Sequence, residues 1–344
     1  MIKIKLLEMD NEIGNSLLKF NISGDINFSH MNALRRIIFS SIKQRAFSFD
    51  NYNFKKNTST FHNDMLKKRI SLIPIWINDD IINNQKNIKS TDNEITSKNK
   101  NTIIEETDDD DNLDDIEKKI NSSSLKQLTM YLKYHNKKNE IINITTHDCL
   151  FYLGEKKIVT PFKEPILILK LIPGGEIDFS AITDINIENN HTIYSAVVTN
   201  YYKQNNPGDY IYTLESRGQI SEKKILLIGI ENIIEMLDYF LKLLIKKTEL
   251  QNIYEGEFTI IDSKNEIYDL HSLGSLIVDQ LQNNKKINSA SYHLLHPLSD
   301  TIIFNFKMVT NASKKENIIN IIEETINNLN ILFKNFSKEI NLHL

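Results

Sequence analysis

His30-Met31-Asn32-Ala33-Leu34-Arg35-Arg36-Ile37-Ile38 sets beside Ser272-Leu273-Gly274-Ser275-Leu276-Ile277-Val278, with Asn32 against Gly274 and Leu34 against Leu276. In both stretches apolar residues recur at three- and four-residue spacing, which buries one face of a helix. Met31, Leu34, Ile37, Ile38 and Ile42 make that face in the first; Leu270, Leu273, Leu276, Ile277 and Leu281 make it in the second. Ser29 is expected to cap the first helix and Asp269 the second. The same succession surrounds each: a strand, the short helix, more strand and a long final helix. Ile2, Ile4 and Leu6 alternate with Lys3 and Lys5, and Leu18, Phe20 and Ile22 with Lys19 and Asn21, as half-buried strands do. Strands are likewise expected at Tyr210, Tyr212 and Leu214, and at 257–261, 287–295 and 301–310. One long helix is expected from 221 or 222 to about 248, with Leu237 and Leu241 on its apolar face. Another is expected from 313 to about 338, striped by Ile322, Ile326 and Leu329.

The fold expected is therefore α+β and pseudo-duplicated. The two halves bury their short helices against each other and pair their long ones. The internal interface then comprises Leu34, Ile37, Ile38, Leu273, Leu276, Ile277, Leu237, Leu241, Ile322, Ile326 and Leu329. The first half also carries an inserted β-rich domain, with strands at 128–134, 140–146, 166–172 and 191–202. Domain bounds follow: 1–48 with 208–250, an insert over 49–207, and 251–344. Within the insert, 78–126 is rich in Asn, Lys, Ser, Thr and acid and has no sustained period, so it is expected to be disordered. The linker between the halves is short, about 250–256.

At roughly 100–200 residues per domain, 344 residues suit two or three domains. The single cysteine, Cys149, excludes an internal disulfide framework and a four-thiolate zinc ribbon, and fits a reducing compartment. The alternating start has no signal-peptide core, and no apolar run approaches the roughly 18–20 residues that span a bilayer. A soluble intracellular protein is expected. The net charge of -4 is dominated by nine acidic residues between Glu105 and Glu117. The remainder is only mildly basic, short of what direct nucleic-acid binding as the main task implies.

Asn32-Ala33-Leu34-Arg35-Arg36-Ile37-Ile38 resembles the first dimerisation helix of RNA polymerase alpha-like subunits. Asn57-Thr58-Ser59, then Asp64-Met65-Leu66 through Arg69 to Ile73-Pro74-Ile75, resembles the family's Asn-Thr-Ser, helix, Arg and Leu-Ile-Pro run. Pro161-Phe162 through Gly175, and His191 through Val198, resemble two further blocks, and Glu215-Ser216-Arg217-Gly218 the approach to its last helix. This half is similar to the third subunit of eukaryotic polymerase II and to its archaeal D-like counterpart. Asp269 through Leu276, and Ala290-Ser291-Tyr292-His293-Leu294-Leu295-His296-Pro297-Leu298, are similar to the eleventh subunit and to its archaeal L-like counterpart. The chain departs from the family at Lys68 and Tyr194, which stand for His and Trp, and at Leu270, an insertion. The resemblance implies a natural fusion of two subunits, suggestive of a large DNA virus. It implies a non-catalytic assembly platform that nucleates the two largest subunits of a multisubunit DNA-dependent RNA polymerase, with small subunits joining. DNA is then met only through the complex. The compartment implied is a virion or cytoplasmic viral factory, or otherwise the nucleus.

On the residues alone, Arg35, Arg36 and Arg69 read as a solvated basic surface. The resemblance implies that they contact the second-largest subunit. The family's metal-binding cysteine cluster is missing, and His271, His293 and His296 have no Cys or carboxylate at ligand spacing, so neither metal nor cofactor is expected. Pro173-Gly174-Gly175 fits a turn and not a phosphate loop. No catalytic constellation is visible. The alternative class is a free-standing interaction or regulatory protein that kept the alpha-like fold, since fold does not fix function.

Overall fold

In the computed structural model, the alternating start of the chain is an antiparallel hairpin of β1 (Lys3–Glu12) and β2 (Asn15–Ser23). The structure describes residues 2–12, 15–75, 127–162, 164–246, 255–262, 267, 269–296, 300–309 and 318–344. The short helix α1 (Phe28–Ser41) follows the hairpin. Next come β3 (Gln44–Asn57), α2 (Asn63–Ser71), β4 (Leu128–His135), β5 (Ile142–Thr145), β6 (Leu150–Leu153) and β7 (Lys156–Ile158). Then follow β8 (Leu167–Leu171), β9 (Glu176–Asn186), β10 (Val197–Asn206), β11 (Asp209–Ser216) and the long helix α3 (Glu222–Ile245). The last elements are β12 (Glu255–Ile261), α4 (Leu270–Gln282), β13 (Ile287–Leu294), β14 (Thr301–Met308) and α5 (Ile318–His343).

Two compact units result: Met1–Gln44 with Asn186–Leu344, and Arg45–Ile185. The first holds a four-stranded sheet, β1-β2-β11-β10, and a three-stranded sheet, β12-β14-β13. Its helices pack in like pairs, α1 on α4 and α3 on α5. One continuous core joins both halves, running from Phe20 and Tyr212 under the first sheet to Phe258 and Phe304 on the second. Phe240 of α3 reaches Phe304 of the other half, with ring centroids 5.5 Å apart. The second unit builds the five-stranded sheet β3-β9-β4-β6-β7 and the pair β5-β8, with Leu66 and Ile70 of α2 in its own core.

Several expectations are corrected. The N-cap of α1 is Asn27, not Ser29: the Asn27 carboxamide accepts the His30 backbone N–H, and the His30 ring accepts that of Asn27. A reciprocal box normally shows Glu or Gln at this third position, so the His hid it. The insert spans 45–185 and not 49–207. The segment 191–207 belongs with the first half because β10 hydrogen-bonds β11 from Val197↔Ser216 to Asn206↔Asp209. The separately bounded halves, 1–48 with 208–250 and 251–344, share one core. β3 is a strand of 14 residues, and neither it nor β9 was anticipated. The final helix continues past 338 to His343. The segment 78–126, the start of that helix at 313 and most of the linker at 250–256 lie outside the described residues.

Close approach is enforced at two glycines. A Cβ at Gly274 of α4 would lie 2.4 Å from Tyr292 Cδ2, and one at Gly229 of α3 would lie 2.7 Å from Ile38 Cγ1 of α1. Alanine favours a helix by up to about 1 kcal/mol over glycine, but forcing extra bulk into a packed site costs about 1–3 kcal/mol. Gly274→Ala should therefore lower the urea unfolding midpoint, and adding Tyr292→Val should recover most of the loss. A stabilised single variant would contradict the packing described.

Candidate assembly interface

The contact between the halves is built from apolar faces first. Leu34, Ile37 and Ile38 of α1 are buried together with Leu273, Leu276 and Ile277 of α4. Leu237 of α3 is buried with Ile322, Ile326 and Leu329 of α5, and Leu241 packs against the same core while partly buried. Burying each such side chain stabilises by about 1.5–3 kcal/mol, so these residues dominate the energetics of the contact.

Polar groups then fix how the helices meet. Arg36 of α1 donates from Nε to Asp269 Oδ2 at 2.5 Å and from its terminal nitrogen to Oδ1 at 3.2 Å. Asp269 is also the N-cap of α4, accepting from His271 N and from Ser272 Oγ. Burial pushes the Asp269 carboxyl up, but the Arg36 and Ser272 hydrogen bonds outweigh it and hold it below its ordinary value. In the opposite direction, Asn27, the N-cap of α1, donates from Nδ2 to Asp279 Oδ2 of α4 at 2.5 Å. Between the long helices, Asn330 Nδ2 donates to Asp238 Oδ1 at 2.7 Å. Asn232 of α3 donates to Ser41 Oγ of α1 at 2.8 Å.

The three arginines have separate settings. Arg35 donates to Asn32 Oδ1 at 2.9 Å, and its carbonyl accepts from Asn200 Nδ2 of β10 at 2.9 Å. Arg36 is engaged by Asp269. Arg69 is in the other unit: exposed on α2, it donates to the Leu167 carbonyl at 3.2 Å and lies over the Phe61 ring. The loop before α2 is internally braced. Asn57 donates to Phe61 O and Asn63 Oδ1, while its own oxygen accepts from Ser59 N and Oγ. That network explains why Asn57-Thr58-Ser59 reads as a unit. Arg217 is half-buried and donates to the carbonyls of Ile193 and Ser195, tying 191–198 to the approach to α3.

No group of three or more His, Cys, Asp or Glu suited to a metal occurs among the described residues. His271 packs edge-on to Tyr292, and His293 faces Asn305. Burial, with Asp148 adding to it, pushes the Cys149 thiol up to about 12, so it is a poor nucleophile. No helix among the described residues is long and apolar enough to cross a membrane. The Asp108–Asp111 run lies outside them.

Residues 268–339, which hold α4, β13, β14 and most of α5, match the RNA polymerase Rpb3/Rpb11 dimerisation domain. The second half of the chain is thus similar to a polymerase dimerisation domain. Across 328 residues it is 25% identical to a protein of Acanthamoeba polyphaga mimivirus named as a DNA-directed RNA polymerase subunit. That alignment covers 89% of this chain and 85% of the viral one, so the likeness extends through both halves of the duplicated fold. The matched domain contains one side of the helix contact, and α1 and α3 supply the other.

His30, Asn27 and Asp279 were not singled out in the sequence, yet they lie at this contact. His30 is 3% exposed, and its ring meets Phe333 of α5 edge-on at 5.9 Å. Burial lowers its pKa to about 4, against a weaker opposing pull from Asp279. Above pH 6.5 neither folded nor unfolded chain holds this proton. Below 6.5 the unfolded chain binds it and the folded chain does not, so stability falls until about pH 4. Between pH 7 and 5 this loss should be about 2 kcal/mol by urea unfolding. His30→Gln should flatten that part of the profile; an unchanged slope would show that His30 does not carry it.

Proposed function

We propose that the chain is a non-catalytic assembly platform of a multisubunit DNA-dependent RNA polymerase. The observation that carries this reading is the closed α1–α4 and α3–α5 contact within a single chain, one side of which is the Rpb3/Rpb11 dimerisation domain. In separate subunits such a contact must be found by diffusion. Joined by a short linker, the halves meet at an effective concentration on the order of millimolar. The platform is then complete as soon as the chain folds.

In this reading the second-largest subunit is the first to bind, using Arg35 and Arg69, and the largest subunit follows. Arg36 braces the platform through Asp269 and presents the part of its guanidinium that remains exposed. Small polymerase subunits join the same complex, and DNA is met only through it. The viral relative supports a virion or cytoplasmic viral factory as the compartment.

The test is affinity purification of the tagged chain from its native source, followed by mass spectrometry. The two largest polymerase subunits are expected in near-equal amounts. Arg35→Glu with Arg69→Glu should release them while circular dichroism shows the chain still folded, because neither guanidinium joins the two halves. Arg36→Glu should lower the midpoint as well, since it sets a carboxylate against Asp269. Recovery of the chain alone, or with unrelated partners, would leave the fold as ancestry and favour a free-standing interaction protein.

A further inference from the structure

Two of the polar contacts between the short helices, those at their N-caps, are related but not identical. The alignment that sets Asn32 beside Gly274 also sets Asn27 beside Asp269, and each of these is the N-cap of its short helix. Each cap is gripped by a side chain from late in the opposite short helix: Asp269 by Arg36, and Asn27 by Asp279. In the same alignment Arg36 falls beside Val278, one residue short of Asp279. The contact is therefore a pseudo-twofold pair whose polarity differs on its two sides. On one side a cation meets an anionic cap. On the other an anion meets a neutral, donating cap.

We propose that this difference in polarity is a pairing code. It makes the interface heterotypic, so that each half prefers the other half to a copy of itself. Two second halves related by the same twofold would bring Asp279 of one copy against Asp269 of the other, carboxylate on carboxylate. Two first halves would bring Arg36 against Asn27, where no carboxylate waits for the guanidinium. The two apolar faces are alike in chemistry, both built from Leu and Ile, so the sharper discrimination falls to the polar pairs. Discrimination by an unpaired or like charge at the wrong partner is the general route to specificity between similar surfaces. The Arg36–Asp269 pair is suited to the task. Asp269 has only 11% of its side chain exposed, so a missing partner there is felt more strongly than at the surface. This inference concerns the two halves alone and is independent of the polymerase reading.

The test uses the full chain and four variants: Asn27→Asp, Asp279→Asn, their combination, and Asp269→Asn with Asp279→Asn. Asp and Asn both cap helices well, so no helix start is lost. The readouts are the urea midpoint and the fraction of chain in dimers by light scattering. N27D should lower the midpoint and raise the dimer fraction, because two carboxylates then face each other. N27D/D279N reverses the direction of the hydrogen bond and should restore the midpoint, while its dimer fraction stays raised, because the amide at 279 no longer opposes Asp269 and the carboxylate at 27 can receive Arg36 of another copy. D269N/D279N removes the like-charge clash between second halves. Its dimer fraction should rise by roughly tenfold, with cross-links joining α4 of one copy to α4 of another. Should N27D fail to accumulate, Arg36→Gln and Asp269→Asn form a second cycle in which the double variant is expected to lose less than the sum of the singles. A midpoint left unrestored in N27D/D279N, or additive losses in that second cycle, would overturn the code. So would an unchanged dimer fraction in D269N/D279N.

Discussion

Two short helices, each apolar along one face, have to be covered, and in this protein each covers the other. That constraint organises the larger unit. α1 cannot keep Met31, Leu34, Ile37 and Ile38 out of water against its own sheet alone, and α4 has the same problem with Leu273, Leu276 and Ile277. Laying one on the other solves both, and the long helices α3 and α5 then close over the pair. Gly229 lets α3 approach Ile38 of α1, and Gly274 lets α4 lie against the Tyr292 ring of β13, where neither site leaves room for a side chain. The single core that runs through both halves is the outcome.

Polar chemistry enters where the apolar faces leave the geometry open. Two greasy stripes can slide or rotate on each other at little cost, whereas a bidentate guanidinium–carboxylate pair has one good arrangement. Arg36 on Asp269 and Asn27 on Asp279 each tie the end of one helix to the body of the other. The same carboxylate that caps α4 receives Arg36, so cap and cross-link cannot be lost separately. His30 makes a similar double commitment. It closes the capping box of α1 and fills the space beside Phe333, which requires its neutral form.

The duplicated halves were legible because their signals are local. Apolar spacing at three and four, strand alternation and the Asp269 cap can each be read within one helix or strand, and the Asn32–Gly274 alignment needs only the two strings. What escaped was non-local or disguised. β3 mixes Phe47, Tyr52 and Phe54 with Asp50, Asn51 and Asn53, so its alternation is weak, and its place is set by a neighbour, β9, more than 100 residues away. β10 looked like part of the insert because nothing in its own residues says that it pairs with β11. The N-cap at Asn27 was masked by a histidine in the position where Glu or Gln is usual. Asp279 was not singled out, since its significance lies in a residue on another helix. Of the three arginines, only a structure could distinguish Arg36, held across the contact, from Arg35 and Arg69, held within their own units.

Joining the halves in one chain changes what their contact must accomplish. A contact between free subunits has to overcome the lost freedom of two bodies, so it must be strong. With a short linker the encounter is nearly assured, and strength matters less than correctness. Buried or half-buried ion pairs are poor sources of net stability, because their desolvation offsets most of their attraction. They are effective at rejecting wrong arrangements, because a carboxylate such as Asp269 left without its guanidinium bears the desolvation and receives nothing in return. An interface whose adhesion comes from Leu and Ile and whose discrimination comes from Arg36, Asp269, Asn27 and Asp279 divides the two tasks between chemistries suited to each. A tethered pair can retain costly polar contacts on those terms, since its linker already supplies the proximity that extra apolar area would otherwise have to provide.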